Sequence, residues 1–364
     1  MKWSWKIARI ADIDVFVHAT FFILIAWIGL SYWQAEGTLT AVASGIGFIL
    51  TLFACVVAHE YGHALMARRY GIRTKHITLL PIGGVAMLER MPEDPKQEIA
   101  VALAGPAVNL VIAVGLWLWL SASNTLVPAE LLNLTKGSFL ERVMVVNIIL
   151  AVFNMLPAFP MDGGRVLRAA LALRMDRNQA TQTAARVGQG LALLMGLLGM
   201  LYNPFLLFIA FFVWIGASAE AGTEQVKSVL SGSDIRHAML TDYQSLSPGA
   251  SLSRAIELTM AGSQTDFPVL EGGVMVGVLG QADLLKGLQA QGEHSPVSGW
   301  MKQDVQSADI KEPLEAVLER LQTCNCRLIS VMDRGRVVGI INLDNIMELV
   351  RIQTALTAQS HPAH

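Results

Sequence analysis

Six apolar stretches, each about as long as a bilayer's hydrocarbon core is thick, fill most of the chain before residue 220. They run roughly 15–33, 41–67, 99–121, 139–157, 184–201 and 204–220. An α-helix rises about 1.5 Å per residue, so about 20 apolar residues cross the roughly 30 Å of hydrocarbon. Only helices or closed barrels satisfy their backbone in lipid, and these runs have helical length. The composition agrees. Hydrophobic residues make up 53% of the 364 residues and charged residues 15%, against about 25% charged in soluble domains. A net charge of −2, without a basic run, gives no sign of a nucleic-acid partner, and none is expected.

The basic residues set an orientation, since cytoplasmic loops collect Lys and Arg. Lys2, Lys6 and Arg9 place the N-terminus in the cytoplasm, and no small-x-small cleavage site follows, so the first apolar run reads as a retained helix. The second helix returns to Arg68, Arg69, Arg73 and Lys75, and the third and fourth return to Arg165, Arg168, Arg174 and Arg177. The opposite loop, 122–138, holds only Lys136. Six spans therefore give an inner-membrane, multi-pass protein with both termini cytoplasmic. Residues 76–91 are apolar but too short to span, and Pro81, Gly83 and Gly84 break a helix there. They read as a re-entrant hairpin or loop bordering a site, because irregular backbone at membrane depth must be covered or line a wet cavity.

Beyond about residue 233 the chain reads as soluble and repeats itself. Met239 matches Met301, Phe267-Pro268-Val269 matches Ile329-Ser330-Val331, and Val276-Gly277-Val278 matches Val338-Gly339-Ile340, all 62 positions apart. Each copy is expected to run loop, helix (252–261; 314–322), strand, glycine turn, strand, helix (281–288; 343–351). Cys55, Cys324 and Cys326 make no disulfide framework. One residue between Cys324 and Cys326 is too close for a usual structural bridge, which points to a reducing compartment.

Chemistry concentrates in His59-Glu60-Tyr61-Gly62-His63, an H-E-x-x-H motif within the second apolar run. A spacing of four puts both imidazoles on one helical face, able to reach one ion, with Glu60 placed as general base for the metal's water. Ionisable groups inside a membrane helix are costly unless they function. The bland reading is a polar cluster at the interface next to Arg68 and Arg69. A catalytic zinc takes a third protein ligand and keeps one open position. Asp162, in Asn154-Met-Leu-Pro157-Ala-Phe-Pro160-Met-Asp162-Gly163-Gly164, is the candidate; the alternative is an ordinary Asp-Gly turn.

Together, H-E-x-x-H on the second helix and N-x-x-P-x-x-P-x-D-G-G on a later one resemble the site-2 protease family of intramembrane metalloproteases. The likeness covers about residues 10–220. Within the family it resembles the group carrying a CBS domain pair, related to the proteases that process sporulation pro-sigma factors. The resemblance implies one Zn2+ per chain held by His59, His63 and Asp162, with Glu60 as catalytic base. It implies that Asn154 positions substrate or stabilises the oxyanion, and that Pro157 and Pro160 shape the loop holding Asp162. Gly83, Gly84 and Val85 match the family's membrane-inserted loop, where a substrate strand would add. Gly105-Pro106-Ala-Val-Asn109 opens the third membrane helix; packing and substrate contact are both open for Asn109. For His18, an interfacial polar residue stands against an extra metal contact.

The repeat resembles a CBS domain pair, over about 233–352. Such modules pair and bind adenine nucleotides through G-x-x-[ST]-x-x-D. Here Gly277-Val-Leu-Gly280-Gln-Ala-Asp283 keeps the Asp and lacks the hydroxyl, while Gly339-Ile-Ile-Asn342-Leu-Asp-Asn345 departs at both positions. Asp283 is the nucleotide candidate, beside a dimerisation or docking role. The expected architecture is a polytopic α-helical membrane domain (1–222), CBS repeats at 233–290 and 295–352, and a flexible tail at 353–364. The expected activity is zinc-dependent cleavage of a membrane-bound substrate, such as an anti-sigma or pro-sigma factor, by a homodimer. A CBS-gated metal transporter and a catalytically dead membrane chaperone are the competing readings; the first needs a polar pathway through several helices.

Overall fold

The chain begins with strands where the sequence suggests a helix. In the computed structural model, β1 (Ser4–Ile10) and β2 (Ile13–His18) form an antiparallel hairpin. It turns at Ala11 and Asp12, both with positive φ, as two-residue hairpins require. The first expected span, 15–33, is therefore corrected at its start. Ile13, Val15 and Val17 alternate buried with half-buried neighbours, a period of two, and the helix α1 (Ala19–Glu36) begins only afterwards. The structure describes residues 3–81, 83–123, 137–231, 233–262, 264–324 and 326–360. Lys2 and Lys136, used above for topology, lie outside them. The chain divides into two units, Met1–Gly222 and Thr223–His364.

In the first unit, α2 (Leu39–Arg69) leads to β3 (Thr74–Leu80) and β4 (Gly83–Leu88). β2 and β3 pair in parallel, β3 and β4 antiparallel, giving one sheet ordered β1-β2-β3-β4. The expected re-entrant segment is thus the β3–β4 hairpin, and β4 is a sheet edge among the described strands. α3 (Pro95–Ala122), α4 (Phe139–Asn154), α5 (Asp162–Ala172), α6 (Arg177–Leu201) and α7 (Phe205–Leu230) follow. Four helices, α2, α3, α6 and α7, are long and apolar enough to cross a membrane. α1 and α4, at 18 and 16 residues, occupy the other two expected spans but fall short of that mark. Outward-facing Ile23, Trp27, Phe208 and Phe211 are exposed, as lipid-facing side chains are. Asp94 caps α3, so Gly105 and Asn109 lie in mid-helix and do not open it. The short helix α5 was not foreseen.

In the second unit the repeat is structural. One copy holds α8 (Leu252–Ala261), β5 (Asp266–Glu271), β6 (Val274–Gly280) and α9 (Gln281–Gln291). The other holds β7 (Ser307–Asp309), α10 (Leu314–Cys324), β8 (Leu328–Asp333), β9 (Arg336–Asn342) and α11 (Leu343–Ser360). The copies exchange contacts reciprocally. Leu240 bridges to Ile340, and Lys302 bridges to Val278. A Cβ on Gly277 would meet Met301, and one on Gly339 would meet Met239, so the glycines admit the partner copy's methionine. Each copy has its own core, around Phe267 and Leu279 in the first and Ile329 and Ile341 in the second. Two expectations are corrected. Cys324 and Cys326 are joined by a disulfide, their Cα atoms 5.1 Å apart, inside the usual range of about 4.4–6.8 Å; the argument for a reducing compartment loses its support. α11 continues through Ser360, so the expected tail is helix over 353–360, and 361–364 lie outside the described residues.

Candidate metal centre and active site

α2 delivers His59, Glu60 and His63 from one stretch of helix, and the first residue of α5 delivers Asp162. The two imidazoles and the carboxylate are buried. His59 Nε2 and His63 Nε2 are 3.0 Å apart. Asp162 Oδ2 stands 3.1 Å from His63 Nε2 and 3.2 Å from His59 Nε2. Three ligands at about 2.0–2.1 Å from a tetrahedral zinc lie about 3.3 Å from one another. The triangle therefore has the size of one face of such a shell, and it is the one His/Cys/Asp/Glu group of this kind among the described residues.

The backbone and one amide set which imidazole nitrogens face inward. His63 Nδ1 is 2.7 Å from the Val101 carbonyl of α3, which can only accept, so Nδ1 carries the proton and Nε2 offers a lone pair. His59 Nδ1 lies 3.2 Å from the Asn109 amide nitrogen, while the buried Asn109 Oδ1 has no hydrogen-bond partner among the described residues. A half-turn of that amide presents Oδ1 to His59 Nδ1–H, gives the orphaned oxygen a partner and frees Nε2 as a second lone pair. Two imidazole lone pairs and a carboxylate then converge, an arrangement that wants a cation. Gly105 of α3 keeps the space open. A Cβ there would sit 2.2 Å from His63 Nε2 and 2.6 Å from His59 Nε2. The residues present fit a zinc ion.

Glu60 Oε2 accepts a hydrogen bond from the Ala86 N–H of β4 at 3.2 Å. This ties the glutamate to the strand edge. A cavity of about 420 Å3 joins these parts. His59, Glu60, His63, Asp162, Gly83, Gly84, Val85, Asn109 and Asn154 all line it. Every site residue expected in the membrane half thus meets in one place. Asn154 ends α4, its amide donating to the Leu150 carbonyl at 3.0 Å. Gly163 and Gly164 let α5 press on the preceding loop, since a Cβ on either would meet backbone of residues 155–159 at 2.3–2.6 Å. His18 is elsewhere: its Nδ1 caps α1 through Thr20, on a separate cavity with Trp3 and His76. Asp283 lies in the first turn of α9 in the second unit, its carboxylate 3.9 Å from both Lys286 and Lys302.

Sequence reasoning missed two contributors. The Val101 carbonyl carries no side-chain signal at all. Gly105 was visible only as half of a Gly-Pro pair whose packing role could not be aimed at a particular neighbour.

A membrane-embedded metallopeptidase is the class of protein that this arrangement defines. The profile of peptidase family M50 matches residues 47–133 and 124–197, and that of the CBS domain matches 233–290 and 297–352. A zinc metalloprotease of Methanocaldococcus jannaschii is 31% identical over 359 residues, 97% of each chain. Stage IV sporulation protein FB of Bacillus subtilis is 29% identical over 149 residues, 41% of this chain and 48% of that one. The solved site-2 protease from Methanocaldococcus jannaschii is 34% identical, covers 60% of this chain and 95% of its own, and superposes with a TM-score of 0.44. The chain belongs to peptidase family M50, zinc metalloproteases of the site-2 type that work in the membrane, and it carries a CBS domain pair. Nothing among these relatives supports the transporter reading.

Proposed function

We propose that His59, His63 and Asp162 hold one Zn2+ and that Glu60 is the acid–base group of an intramembrane endopeptidase whose substrate is a membrane-bound protein of the anti-sigma or pro-sigma kind. The observation that carries this is the buried His-His-Asp triangle opening onto the same cavity as Glu60 and β4. When bound, zinc would acidify a water and polarise the scissile carbonyl. The protein's own groups do the rest. Asn109 and the Val101 carbonyl hold the imidazole tautomers. Glu60 takes the proton from the attacking water and passes it to the leaving amine. Asn154 lines the wall where the carbonyl oxygen would develop charge. An unwound substrate segment would add to the β4 edge beside Val85, its backbone paired with the strand and its scissile bond held over the site. A bilayer in place around α2, α3, α6 and α7 would have both termini on the cytoplasmic side of an inner membrane.

In the test, full-length protein in detergent is assayed for zinc and for cutting a single-span substrate. Wild type is expected to hold about one zinc, lose cleavage on chelation and regain it with added zinc. His63→Ala and Asp162→Asn are expected to lose most of the metal and all cleavage. Full zinc occupancy in both variants would sink the ligand set.

The CBS pair is assigned adenine-nucleotide binding at Asp283 and a role in homodimer formation. Asp283 Oδ2 is buried and makes no hydrogen bond among the described residues, leaving an acceptor for a ribose hydroxyl. ATP is expected to raise the melting temperature of the second unit's transition in the full chain. Asp283→Ala is expected to abolish that rise; an equal rise in the variant removes the assignment.

A further inference from the structure

An arginine buried inside the membrane unit is a charge that the site chemistry leaves unused. Arg168 of α5 has its guanidinium sealed from solvent. Its Nε donates to Glu98 Oε1 of α3 at 2.8 Å, and Nη2 donates to the same oxygen. Nη1 donates to Glu220 Oε1 of α7. Glu98, equally buried, also has Arg177 Nη1 of α6 at 3.3 Å from its other oxygen. Burial works against the charge on Arg168, and the two carboxylates offset that cost. A buried ion pair seldom stabilises a fold more than apolar packing would; its best-attested use is to fix a register.

The register fixed here is that of α5 against α3. α5 begins with Asp162 and carries Arg168 in the same helix. α3 carries Glu98, then the Val101 carbonyl that holds His63, then Asn109 that holds His59. One helix therefore orients both imidazoles and, through Glu98, grips the helix that brings the carboxylate. The Gly163 and Gly164 contacts press the start of α5 onto the loop before it, and Leu167 and Leu171 pack apolar surface against Phe159, Ala184 and Ala217; Arg168 supplies the directional polar tie from α5 to α3. We infer that Arg168 is a positioning residue: paired with Glu98 and Glu220, it sets Asp162 at ligand distance from His59 and His63.

The inference rests on the metal reading above. Arg168→Met takes from buried Glu98 the guanidinium on its Oε1, leaving only Arg177 beside its other oxygen, and is expected to unfold the unit, so it is not the test. The variants are Arg168→Lys, which keeps the charge but not the fork, and Glu220→Gln, at the partly exposed end, which leaves Glu98 paired. For full-length protein, zinc Kd is measured by chelator competition, alongside the melting temperature of the zinc-free form and kcat and KM on a single-span substrate. Arg168→Lys is expected to weaken zinc by about tenfold, as loss of outer support for a ligand does, and to lower kcat with KM unchanged. Glu220→Gln should move Kd in the same direction by less. If Arg168→Lys fails to fold, Glu220→Gln decides. A folded variant with wild-type zinc Kd overturns the inference and leaves the metal reading standing. A wild type that binds no zinc removes both.

Discussion

In the Glu60→Gln variant, zinc is expected to be retained and peptide cleavage to fall by about 10²–10⁴-fold, the range a positioned acid–base group contributes. The two halves of this result come from different parts of the geometry. The metal stays because Glu60 is not a corner of the His59–His63–Asp162 triangle. The local structure stays because a glutamine carbonyl can still accept from the Ala86 N–H that Glu60 Oε2 now accepts from at 3.2 Å. Only the ability to take a proton is lost. Zinc content, melting temperature and single-turnover cleavage of one substrate separate these effects. A Glu60→Gln enzyme that cuts at the wild-type rate would falsify the assignment of Glu60 as the base. One that loses zinc as well would make Glu60 a part of the metal site.

Gly105→Ala is expected to act by a different route, through zinc affinity. The new methyl carbon would stand 2.2 Å from His63 Nε2 and 2.6 Å from His59 Nε2, where no real contact occurs. Neither neighbour can yield cheaply. His63 is held by the Val101 carbonyl, His59 by Asn109, and both rise from the same rigid helix. Forcing an extra carbon into a packed site costs about 1–3 kcal/mol, and if that strain falls on the ligands zinc affinity drops roughly 5–150-fold, at about 1.4 kcal/mol per decade. The control lies further along the same helix. Gly115 has nothing within 4 Å of its would-be Cβ, so Gly115→Ala should leave zinc untouched and, in soluble-helix terms, gain up to about 1 kcal/mol of helix propensity. Isothermal titration or chelator competition on both variants gives the contrast. Equal zinc affinities for the two would mean that the imidazoles do not sit against α3 as described.

The sequence by itself determined the chemistry and most of the helices. H-E-x-x-H needs only the helical repeat to place His59 and His63 together, so the motif was readable without knowing any other contact. The apolar runs at 41–67, 99–121, 184–201 and 204–220 became α2, α3, α6 and α7 because length and hydropathy are local properties. The CBS repeat was legible because its two copies carry the same pattern 62 positions apart, and the reciprocal bridges Leu240–Ile340 and Lys302–Val278 have the same spacing. What the tertiary structure decided is everything that depends on neighbours distant in the chain. The start of the first span became β2 because a partner strand, β3, was available about 60 residues later to complete its hydrogen bonds. Asp162 stands 99 positions from His63, and no local rule could bring its carboxylate to 3.1 Å. Gly105 and Arg168 looked like a helix-packing glycine and an interfacial charge. Their meaning comes from which atoms other helices place against them: two imidazoles of α2 for one, a glutamate each from α3 and α7 for the other. Local periodicity specifies which face of an element is apolar, but only packing between elements specifies what that face meets.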